Sequence, residues 1–500
     1  MKKITKIIIL FGLLGLLITS CDNELTIFPE DSLSSDTFFK TDADFEQAVN
    51  AAYVPLRNIV NDRAWLLGEM HSDNTYYARN VLFGATEQQE DVADFAIPSD
   101  GGVTTNTHVT NQYILDYRII ARTNQILASL EVAEGLDAAA AANVKGQSLF
   151  LRAYAYFELV RYFGSVPLHL VPVTKREEAA LPLSTAEEIY AQIISDALEA
   201  ITLLPPKSQQ DPGRVTVGAA QTLLANVYIV RQQWAEAESL LLTVVNSNEY
   251  MLMPEYADAF PGNTDNKNNA ESVFEVQFKE GPEGLNSSFI YNFLPRPITA
   301  EEVATLTGTS NAQPVNGEGN NIPTPDIIAA YEAGDKRKNA SIDSITLSGG
   351  FWKDGTYPII KKFRDTHSLH GNHGMNWPVY RYSEVLLFLA EALNEQSKAG
   401  ADTYLNLVRT RAGLLGATGD MREAILNERR VELAFENKRW FDLVRTGRAT
   451  EVITAYGNRI KATPSDYYYP EGAAPRGNAF TNISLLYALP AAEADLSPNF

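Results

Sequence analysis

The stretch NERRVELAFENKRWFDLVR, residues 427–445, is the most informative part of the chain for its fold. Its charged residues lie three and four positions apart with opposite signs interleaved: Glu428, Arg429, Arg430, Glu432, Glu436, Arg439 and Asp442. Residues at this spacing share a helix face, where opposite charges pair with each other and with adjacent elements. The stretch therefore predicts a helix tied to its neighbours, and we interpret its charges as scaffold rather than ligand contacts.

Helical periodicity extends through much of the rest of the chain. The segments that show it are 112–130, 143–163, 189–201, 217–232, 234–245, 379–393, 401–411 and 421–436. The alternation of bulky and alanine positions after Trp234 is similar to a tetratricopeptide unit. Helix pairs of this kind bury their apolar faces only by stacking on neighbouring pairs. We therefore expect an all-α, tetratricopeptide-like array of helix pairs.

Local signals mark the ends of some of these helices. Ser184 and Glu187 form a predicted capping box before the helix over 189–201, and Pro205-Pro206 ends that helix. Near the N-terminus, a helix over 45–56 is expected to kink or end at Pro55. Residues 66–100 are rich in Asn, Asp, Gln and Tyr and lack a period, so they are interpreted as a long loop.

The composition of the sequence changes between residues 250 and 375. Prolines, glycines and a polar cluster interrupt the helical periodicity there. Alternating residues over 274–278 are typical of a short strand. This region is interpreted as a loop-rich insertion that splits the helical array. The predicted organisation is a signal peptide, an anchor and linker, an N-terminal helical part, the insertion and a C-terminal helical part, at residues 1–20, 21–40, 41–250, 251–378 and 379–500.

The first residues have the composition of an export signal. Three lysines precede an apolar run over 7–18, which is too short to span a bilayer. The residues before Cys21 resemble a lipobox, and Cys21 is the single cysteine of the chain, so no internal disulfide is possible. We expect Cys21 to carry a lipid and to be the protein's only link to a membrane. A plain secretory signal with an incidental cysteine is the alternative.

Charge and motifs exclude several classes of function. Beyond residue 20 the chain has 62 acidic residues against 38 lysines and arginines, which disfavours nucleic acid as a partner. The sequence has no Gly-x-Ser-x-Gly elbow, no phosphate-binding loop and no His-Glu-x-x-His pair. Paired carboxylates for glycoside hydrolysis stay open, since with so many acids two can always be close. We expect neither catalysis nor a cofactor.

Five sequence blocks form a pattern whose order and spacing are more specific than any one of them. The blocks are KGQSLFLRAYAYFELVRYFG at 145–164 with VPL at 166–168; GRVTVGAA at 213–220 with LLANVY at 223–228; YRYSEVLL at 380–387 with AEALN at 390–394; the stretch 427–445; and LP at 489–490 with Glu493 and SPN at 497–499. With these blocks the chain resembles the SusD/RagB family of outer-membrane nutrient-binding lipoproteins throughout its length. Two departures from the family pattern are Ser497, where Asn is usual, and the end of the chain at Phe500.

The resemblance implies a tetratricopeptide-like helical core, a loop-rich second part and a glycan site on an exposed face. It also implies a lipid-anchored position at the cell surface, with several acyl chains including palmitate on Cys21. A SusC-like TonB-dependent transporter in the outer membrane would be the partner that this protein covers as a lid. Glycan oligomers or polysaccharides would be the ligands.

A sugar-binding surface needs aromatic rings against the C–H faces of pyranoses and polar groups for the hydroxyls. We looked for these residue types in predicted loops. The candidates are Trp65, Asp73, Asn74, Tyr76, Tyr77, Arg79, Tyr291, Phe293 and Trp352, with Phe351 and Trp377 beside them. Trp234 and Trp440 lie in scaffold blocks and are interpreted as core, as is Trp377, while Trp352 could be either core or ligand contact.

Three histidines, His367, His370 and His373, lie close together in a glycine-rich segment. Imidazoles at this spacing can bind a transition metal. The segment has no second metal-binding signature, so a solvated or sugar-contacting loop is the preferred interpretation, and no metal is predicted.

The leading hypothesis is a surface lipoprotein that binds glycan oligomers and passes them to the transporter without a covalent step. A second hypothesis is a peptide-binding or protein-interaction lid of the same transporter, because tetratricopeptide arrays commonly bind peptides. A surface glycoside hydrolase is the third.

Overall fold

A computed structural model describes residues 38–62, 65–78, 87–99, 102–260, 266–316, 319–347 and 355–496. Several predicted residues lie outside these ranges: Cys21, Arg79, Phe351, Trp352 and Ser497. The predicted signal peptide and anchor also lie outside them, so these predictions concern parts of the chain that the structure does not describe.

Helices make up most of the described residues. In chain order the α-helices are α1 Asp42–Asp62, α2 Glu87–Ala93, α3 Thr107–Val132, α4 Ala138–Phe163, α5 Arg176–Ala179, α6 Ala186–Leu203, α7 Val217–Val230, α8 Trp234–Asn246, α9 Ala300–Thr307, α10 Pro325–Ala330, α11 Lys336–Ser341, α12 Tyr382–Glu395, α13 Ala401–Arg411, α14 Met421–Glu432, α15 Arg439–Arg445, α16 Ala449–Ala462 and α17 Ala491–Leu496. A π-helix covers Trp65–Met70, and short 3₁₀ turns cover Lys207–Gln209, Tyr256–Ala259, Phe289–Phe293 and Pro464–Tyr467.

The strands are short and pair two by two. They are β1 Thr75–Ala78, β2 Val103–Thr104, β3 Val166–Pro167, β4 Leu183–Ser184, β5 Ser272–Val276, β6 Gly319–Pro323, β7 Ile342–Leu347, β8 Gly355–Ile360, β9 Trp377–Arg381 and β10 Leu489–Pro490. The antiparallel pairs are β1 with β6, β3 with β4, β5 with β9 and β7 with β8, whereas β10 and β2 run parallel. The strand predicted over 274–278 is confirmed as β5.

The predicted array of helix pairs is confirmed. Helix α4 packs between α3 and α6, and α7 packs between α6 and α8. Helix α8 then packs on α12, so the array is continuous in space although residues 251–378 separate the two helices in sequence. The boundaries proposed for the domains remain predictions, since packing alone does not divide the chain. Within the described ranges, no helix combines the length and apolar character needed to cross a membrane.

The capping box before α6 lies one residue later than predicted. Thr185 is the N-cap, and its hydroxyl accepts a hydrogen bond from the Glu188 backbone N–H while the Glu188 carboxylate reaches back to Thr185. Ser184 instead belongs to β4, where it pairs with Val166. Because Ser184 is already held in a strand, the next hydroxyl residue caps the helix.

Pro55, which was expected to kink or end the first helix, does not end it, because α1 runs through it to Asp62. A proline lacks the N–H that would bond to the carbonyl four residues earlier. That carbonyl belongs to Ala51, and the guanidinium of Arg122 on α3 donates to it. The neighbouring helix thus satisfies the acceptor that Pro55 leaves open.

The interpretation of residues 66–100 as a long loop is also wrong for its described part. The segment holds the π-helix, β1 and α2, and its polar side chains are buried rather than solvated. The Glu69 carboxylate accepts hydrogen bonds from the Asn74 side chain and from the backbone N–H groups of Phe435 and Asn437. The segment has the polar composition of a loop, but its polar groups are buried because their hydrogen-bond partners come from a distant part of the chain.

Most charges of the stretch 427–445 lie in buried ion pairs, as expected for a scaffold. Glu432 is fully buried and pairs with Arg337, Arg381 and Arg411. Burial alone would raise the pKa of Glu432, but these guanidinium groups outweigh it and hold the pKa well below its usual value. Most of the partners come from other elements, so the network fastens the insertion to α14.

Asp116 on α3 is a fully buried acid with no cation in hydrogen-bond contact among the described residues. One carboxylate oxygen accepts from the Gln112 amide at 3.0 Å, and the other has no hydrogen-bond partner in the same part of the chain. Burial, reinforced by the nearby charge of Glu158, raises the pKa of Asp116 well above its usual value.

Asp116→Asn is therefore expected to raise the free energy of unfolding at neutral pH by about 1–3 kcal/mol, the cost of a poorly compensated buried polar group. Because the pKa of Asp116 is raised on folding, ionisation should destabilise the native protein as pH rises above about 4, the pKa of an unfolded aspartate. Urea titrations of both proteins between pH 4 and 8 measure this. A variant that is less stable than the parent at pH 7 would contradict the assignment.

Candidate functional site

The predicted ligand-contacting residues that the structure describes are all in the interior. Each side chain is at most 5% exposed: Trp65, Asp73, Asn74, Tyr76, Tyr77, Tyr291 and Phe293. The expectation that they lie on exposed loops is wrong, so their rings are not available to stack on a sugar at the surface. Trp377 and Trp440 are buried at 3% and 2%, as the core interpretation required.

Tyr76 and Tyr77 are buried because they surround a carboxylate. Their rings stack with centroids 4.3 Å apart, and the Tyr77 hydroxyl lies 3.1 Å from Asp94 and 2.6 Å from the Tyr469 hydroxyl. Tyr76 donates to the same carboxylate. Burial raises the pKa of Asp94 to about 7. The paired tyrosines therefore satisfy a buried acid rather than stack on a sugar.

The aromatic candidates of the insertion have similar roles. The rings of Trp65 and Phe293 meet edge to face at 5.4 Å, and the Tyr291 hydroxyl lies 2.5 Å from the Nε2 atom of His367. His373 is fully buried against the Ser287 hydroxyl, at 2.8 Å from Nδ1, and burial lowers its pKa well below the usual value. Across the part of the chain that the structure describes, no group of three or more His, Cys, Asp or Glu is arranged for a metal.

A groove with a volume of about 510 Å³ lies where α1, the turn before α7 and β5 meet. We call it the main groove. Its lining residues are Asn50, Ala51, Tyr53, Val54, Leu56, Arg57, Pro212, Gly213, Arg214, Glu275, Val276, Gln277 and Leu285. The volume falls within the roughly 300–1,000 Å³ typical of small-molecule sites, and the mixture of apolar walls with a few polar groups is also typical.

A hydrogen-bond network holds the floor of the main groove rigid. The Tyr53 hydroxyl donates to the Gln147 carbonyl oxygen at 2.9 Å and accepts from the Val215 N–H at 3.2 Å. Arg214 donates to the same Gln147 oxygen at 3.1 Å and pairs with Glu46 at 2.7 Å. Burial raises the pKa of Tyr53 far above its usual value, so its hydroxyl remains protonated at neutral pH. These groups are fully engaged and shape the groove.

Gly213 allows two walls of the groove to approach each other. Its φ of +87° is in the left-handed region, and a Cβ atom there would lie 2.7 Å from the Gln277 side chain. Gln277 is itself held by Asn268 and Asn376 through amide hydrogen bonds of 2.9–3.0 Å. The groove wall made by the insertion is thus a fixed surface.

Arg57 is the polar group of the main groove that is free to bind a ligand. It is half-buried on α1, and its guanidinium has no hydrogen bond or ion pair with any of the described residues. Burial lowers its pKa somewhat, but an arginine remains charged at neutral pH. Asn50, about two helical turns away on α1, also lines the groove and accepts from Arg214 at 3.0 Å.

The sequence reasoning missed Arg57 because an arginine on a helix carries no local signal of function. Its neighbours in the groove come from residues 212–214 and 275–285, which only the fold brings together. Chemically, a guanidinium beside apolar walls binds hydroxyl-rich or polar ligands reversibly through charge-assisted hydrogen bonds. That is the activity for which the geometry is suited.

Comparison with known proteins identifies the family of the chain. One family model, described as the SusD family, matches residues 348–500, and a second, described as starch-binding associating with outer membrane, matches residues 30–229. A SusD-like protein, P2, of Formosa agariphila is 28% identical, over 99% of this chain and 98% of its own length. The chain belongs to the SusD/RagB family.

Solved structures agree with this assignment of the chain to SusD/RagB proteins. A laminarin-binding SusD-like protein has a TM-score of 0.71 at 25% identity, covering 92% of this chain and 98% of its own. Surface glycan-binding protein A from Bacteroides thetaiotaomicron, in complex with laminarihexaose, has a TM-score of 0.73 at 23% identity with the same two coverages. The latter similarity concerns the fold.

The main groove spans a matched and an unmatched part of this SusD/RagB chain. Its walls on α1 and in the turn at 212–214 lie within residues 30–229, which the second family model matches. The wall from Glu275 to Leu285 lies between the ranges of the two models. One side of the groove is therefore made by the family scaffold and the other by the insertion.

Proposed function

We propose that this protein binds glycan oligomers at the cell surface and delivers them to a SusC-like TonB-dependent transporter of the outer membrane. The observation that carries the proposal is the main groove, with a volume of about 510 Å³, apolar walls and a guanidinium that no described residue pairs with. Its family membership and the laminarin-binding SusD-like neighbour support glycans as the ligand class.

The groove would hold a sugar by two kinds of contact. The C–H faces of pyranose rings would lie on Val54, Pro212 and Leu285, which removes apolar surface from water on both sides. Hydroxyl groups would accept hydrogen bonds from Arg57, a charge-assisted contact that is stronger than a neutral one. No covalent step is needed, and release requires only that these contacts break.

The position of the protein in the cell follows the same proposal. Cys21 would carry the lipid after removal of residues 1–20, and the lipid would be the only membrane attachment. One acyl chain anchors only marginally, so several are expected. The description of the family model over residues 30–229, starch-binding associating with outer membrane, supports this location.

The scaffold and the insertion would have different roles in binding. The helical parts at 41–250 and 379–500 would form the rigid frame, and the insertion at 251–378 would supply the wall that selects the glycan. Arg79 and Trp352 lie outside the described residues and remain predicted contacts for the same oligomer.

Arg57→Ala is expected to weaken glycan binding by about tenfold or more, because a hydrogen bond to a charged group contributes roughly 1.5–3 kcal/mol. The measurement is isothermal titration of mature protein, residues 22–500, against the polysaccharide or oligosaccharide that a binding panel selects. Arg118→Ala is the matched control, since Arg118 is an exposed arginine on α3 outside the groove.

Two results would count against the proposal. One is equal affinity of the Arg57→Ala and Arg118→Ala proteins, which would place the ligand elsewhere. The other is binding of peptides and of no glycan across the panel, which would favour the interaction lid.

A further inference from the structure

A second groove, with a volume of about 280 Å³, lies between α14, α15 and α16 in the C-terminal part. We call it the arginine groove. Its lining residues are Asp73, Glu423, Leu426, Asn427, Arg430, Arg439, Asp442, Leu443, Thr446, Arg448, Glu451, Val452, Ala455 and Arg459. None of them lines the main groove, so the two are separate.

Two arginines at the base of this groove are clamped by one carboxylate. Arg439 donates to Asp73 through Nε at 2.8 Å and through one terminal nitrogen at 3.1 Å. The corresponding terminal nitrogen of Arg430 lies 2.8 Å from the same Asp73 oxygen, and its Nε donates to the Asn74 side chain at 2.9 Å. The two guanidinium groups are therefore held side by side.

Each of the two guanidiniums keeps one terminal nitrogen free. The NH1 atoms of Arg430 and Arg439 have no hydrogen bond or ion pair with the described residues, yet the side chains are only 14% and 13% exposed. Asp73 fixes the remaining nitrogens of both groups, so the free donors are pre-oriented. Guanidinium donors that are fixed and unused in this way are the groups from which an oxyanion accepts charge-assisted hydrogen bonds.

Most acidic side chains that line the arginine groove are already paired with arginines. The Arg439 and Arg430 charges outweigh burial and hold the pKa of Asp73 at about 2. Asp442 is bound by Arg429 and Arg445 behind the groove.

At the rim, Glu423 pairs with Arg448 at 2.8 Å, while Glu451 is exposed and unpaired among the described residues. At the base of the groove the unused groups are therefore cationic donors. Negative charges elsewhere on the protein have little effect on an anion in this groove, because salt screens interactions between exposed charges more than about 8 Å apart.

We propose that the arginine groove binds an acidic sugar, with a carboxylate or sulfate ester bridging the free nitrogens of Arg430 and Arg439. Planar or tetrahedral oxyanions accept two such hydrogen bonds at once, which a neutral hydroxyl does not. The exposed amide of Asn427 and the apolar side chains of Leu426 and Val452 line the rest of the groove for the sugar ring. This site would add binding of an acidic group to the glycan binding proposed above. The sugar part of its ligand rests on that proposed function.

The test uses full-length protein in detergent, titrated with glucose, glucuronate, glucose 6-sulfate and inorganic sulfate. Glucuronate or glucose 6-sulfate should bind about tenfold or more tightly than glucose, as expected for charge-assisted pairing, and the two arms show which oxyanion the groove accepts. Ala455→Glu, which adds a carboxylate to an exposed lining position, should abolish this preference. Thr454→Glu is the matched control, because the same charge is placed one residue away, outside the groove.

Equal binding of glucose and both acidic sugars would overturn the proposal, as would an unchanged preference in Ala455→Glu. Inorganic sulfate that binds as tightly as glucose 6-sulfate would overturn its sugar part. Arg430→Lys keeps a positive charge beside Asp73 but removes the free guanidinium nitrogen. This variant should lose the preference for acidic sugars over glucose while remaining folded. The Arg57→Ala protein distinguishes binding in the two grooves. It should bind acidic sugars as tightly as the parent protein does. Loss of acidic-sugar binding in this variant would place the acid site in the main groove.

Discussion

Glu432→Gln is expected to lower the free energy of unfolding by about 3–5 kcal/mol, the usual cost of removing one partner from a buried ion-pair network. The Glu432 carboxylate is fully buried and is shared by Arg337, Arg381 and Arg411. The amide keeps the shape of the side chain but leaves three buried guanidiniums with less negative charge. Urea unfolding at pH 7 measures the loss, and Glu423→Gln is the control.

The control should change stability by less than about 1 kcal/mol, because Glu423 and Arg448 are 47% and 37% exposed and water screens their pair. The pH dependence gives a second readout. Since the pKa of Glu432 is depressed on folding, its contribution is present above pH about 4.5 and is lost as pH falls below it. Glu432→Gln should therefore flatten the acid side of the stability curve, and parallel curves for parent and variant would contradict the network's role.

Asp73→Ala is expected to destabilise the protein by a similar amount, about 3–5 kcal/mol, rather than to affect ligand binding alone. Asp73 is 2% exposed and pairs with both Arg430 and Arg439, whose guanidiniums are largely buried. Thermal or urea unfolding measures the change. Because the pKa of Asp73 is held at about 2, this stabilisation is present above about pH 4 and declines between pH 4 and 2.

Glu187→Ala is the control for Asp73→Ala. Its carboxylate pairs with Arg231 but is 75% exposed, so less than about 1 kcal/mol should be lost. A protein with Asp73→Ala that unfolds like the parent and loses neutral glycan binding would restore the original prediction that Asp73 contacts the ligand.

The helical scaffold was predictable because its signals are local. The spacing of apolar residues over 401–411 matches α13 residue for residue, and the charges after Asn427 lie in the expected helix and network. The errors came where a distant partner changes the meaning of a residue. Pro55 is tolerated inside α1 because Arg122 donates the hydrogen bond to the Ala51 carbonyl that Pro55 cannot donate. No local sequence pattern shows that contact.

The candidate site was much less predictable than the scaffold. Polar and aromatic residues at 65–77 have a loop composition, but their partners, such as Arg439 for Asp73, lie hundreds of residues away. Burial of a polar cluster depends on those partners and cannot be read from composition. Conversely, Arg57 matters because none of the described residues pairs with it, and an absent contact leaves no trace in a single sequence.

The main groove is the proposed site at which this SusD/RagB protein holds a glycan. A crystal structure of the protein with the oligomer that the binding panel selects is the decisive experiment. Density for sugar rings is expected between α1 and residues 275–285, with a hydroxyl within about 3 Å of the Arg57 guanidinium, a normal hydrogen-bond distance. An oligomer bound at another surface, with the main groove holding only water, would contradict it.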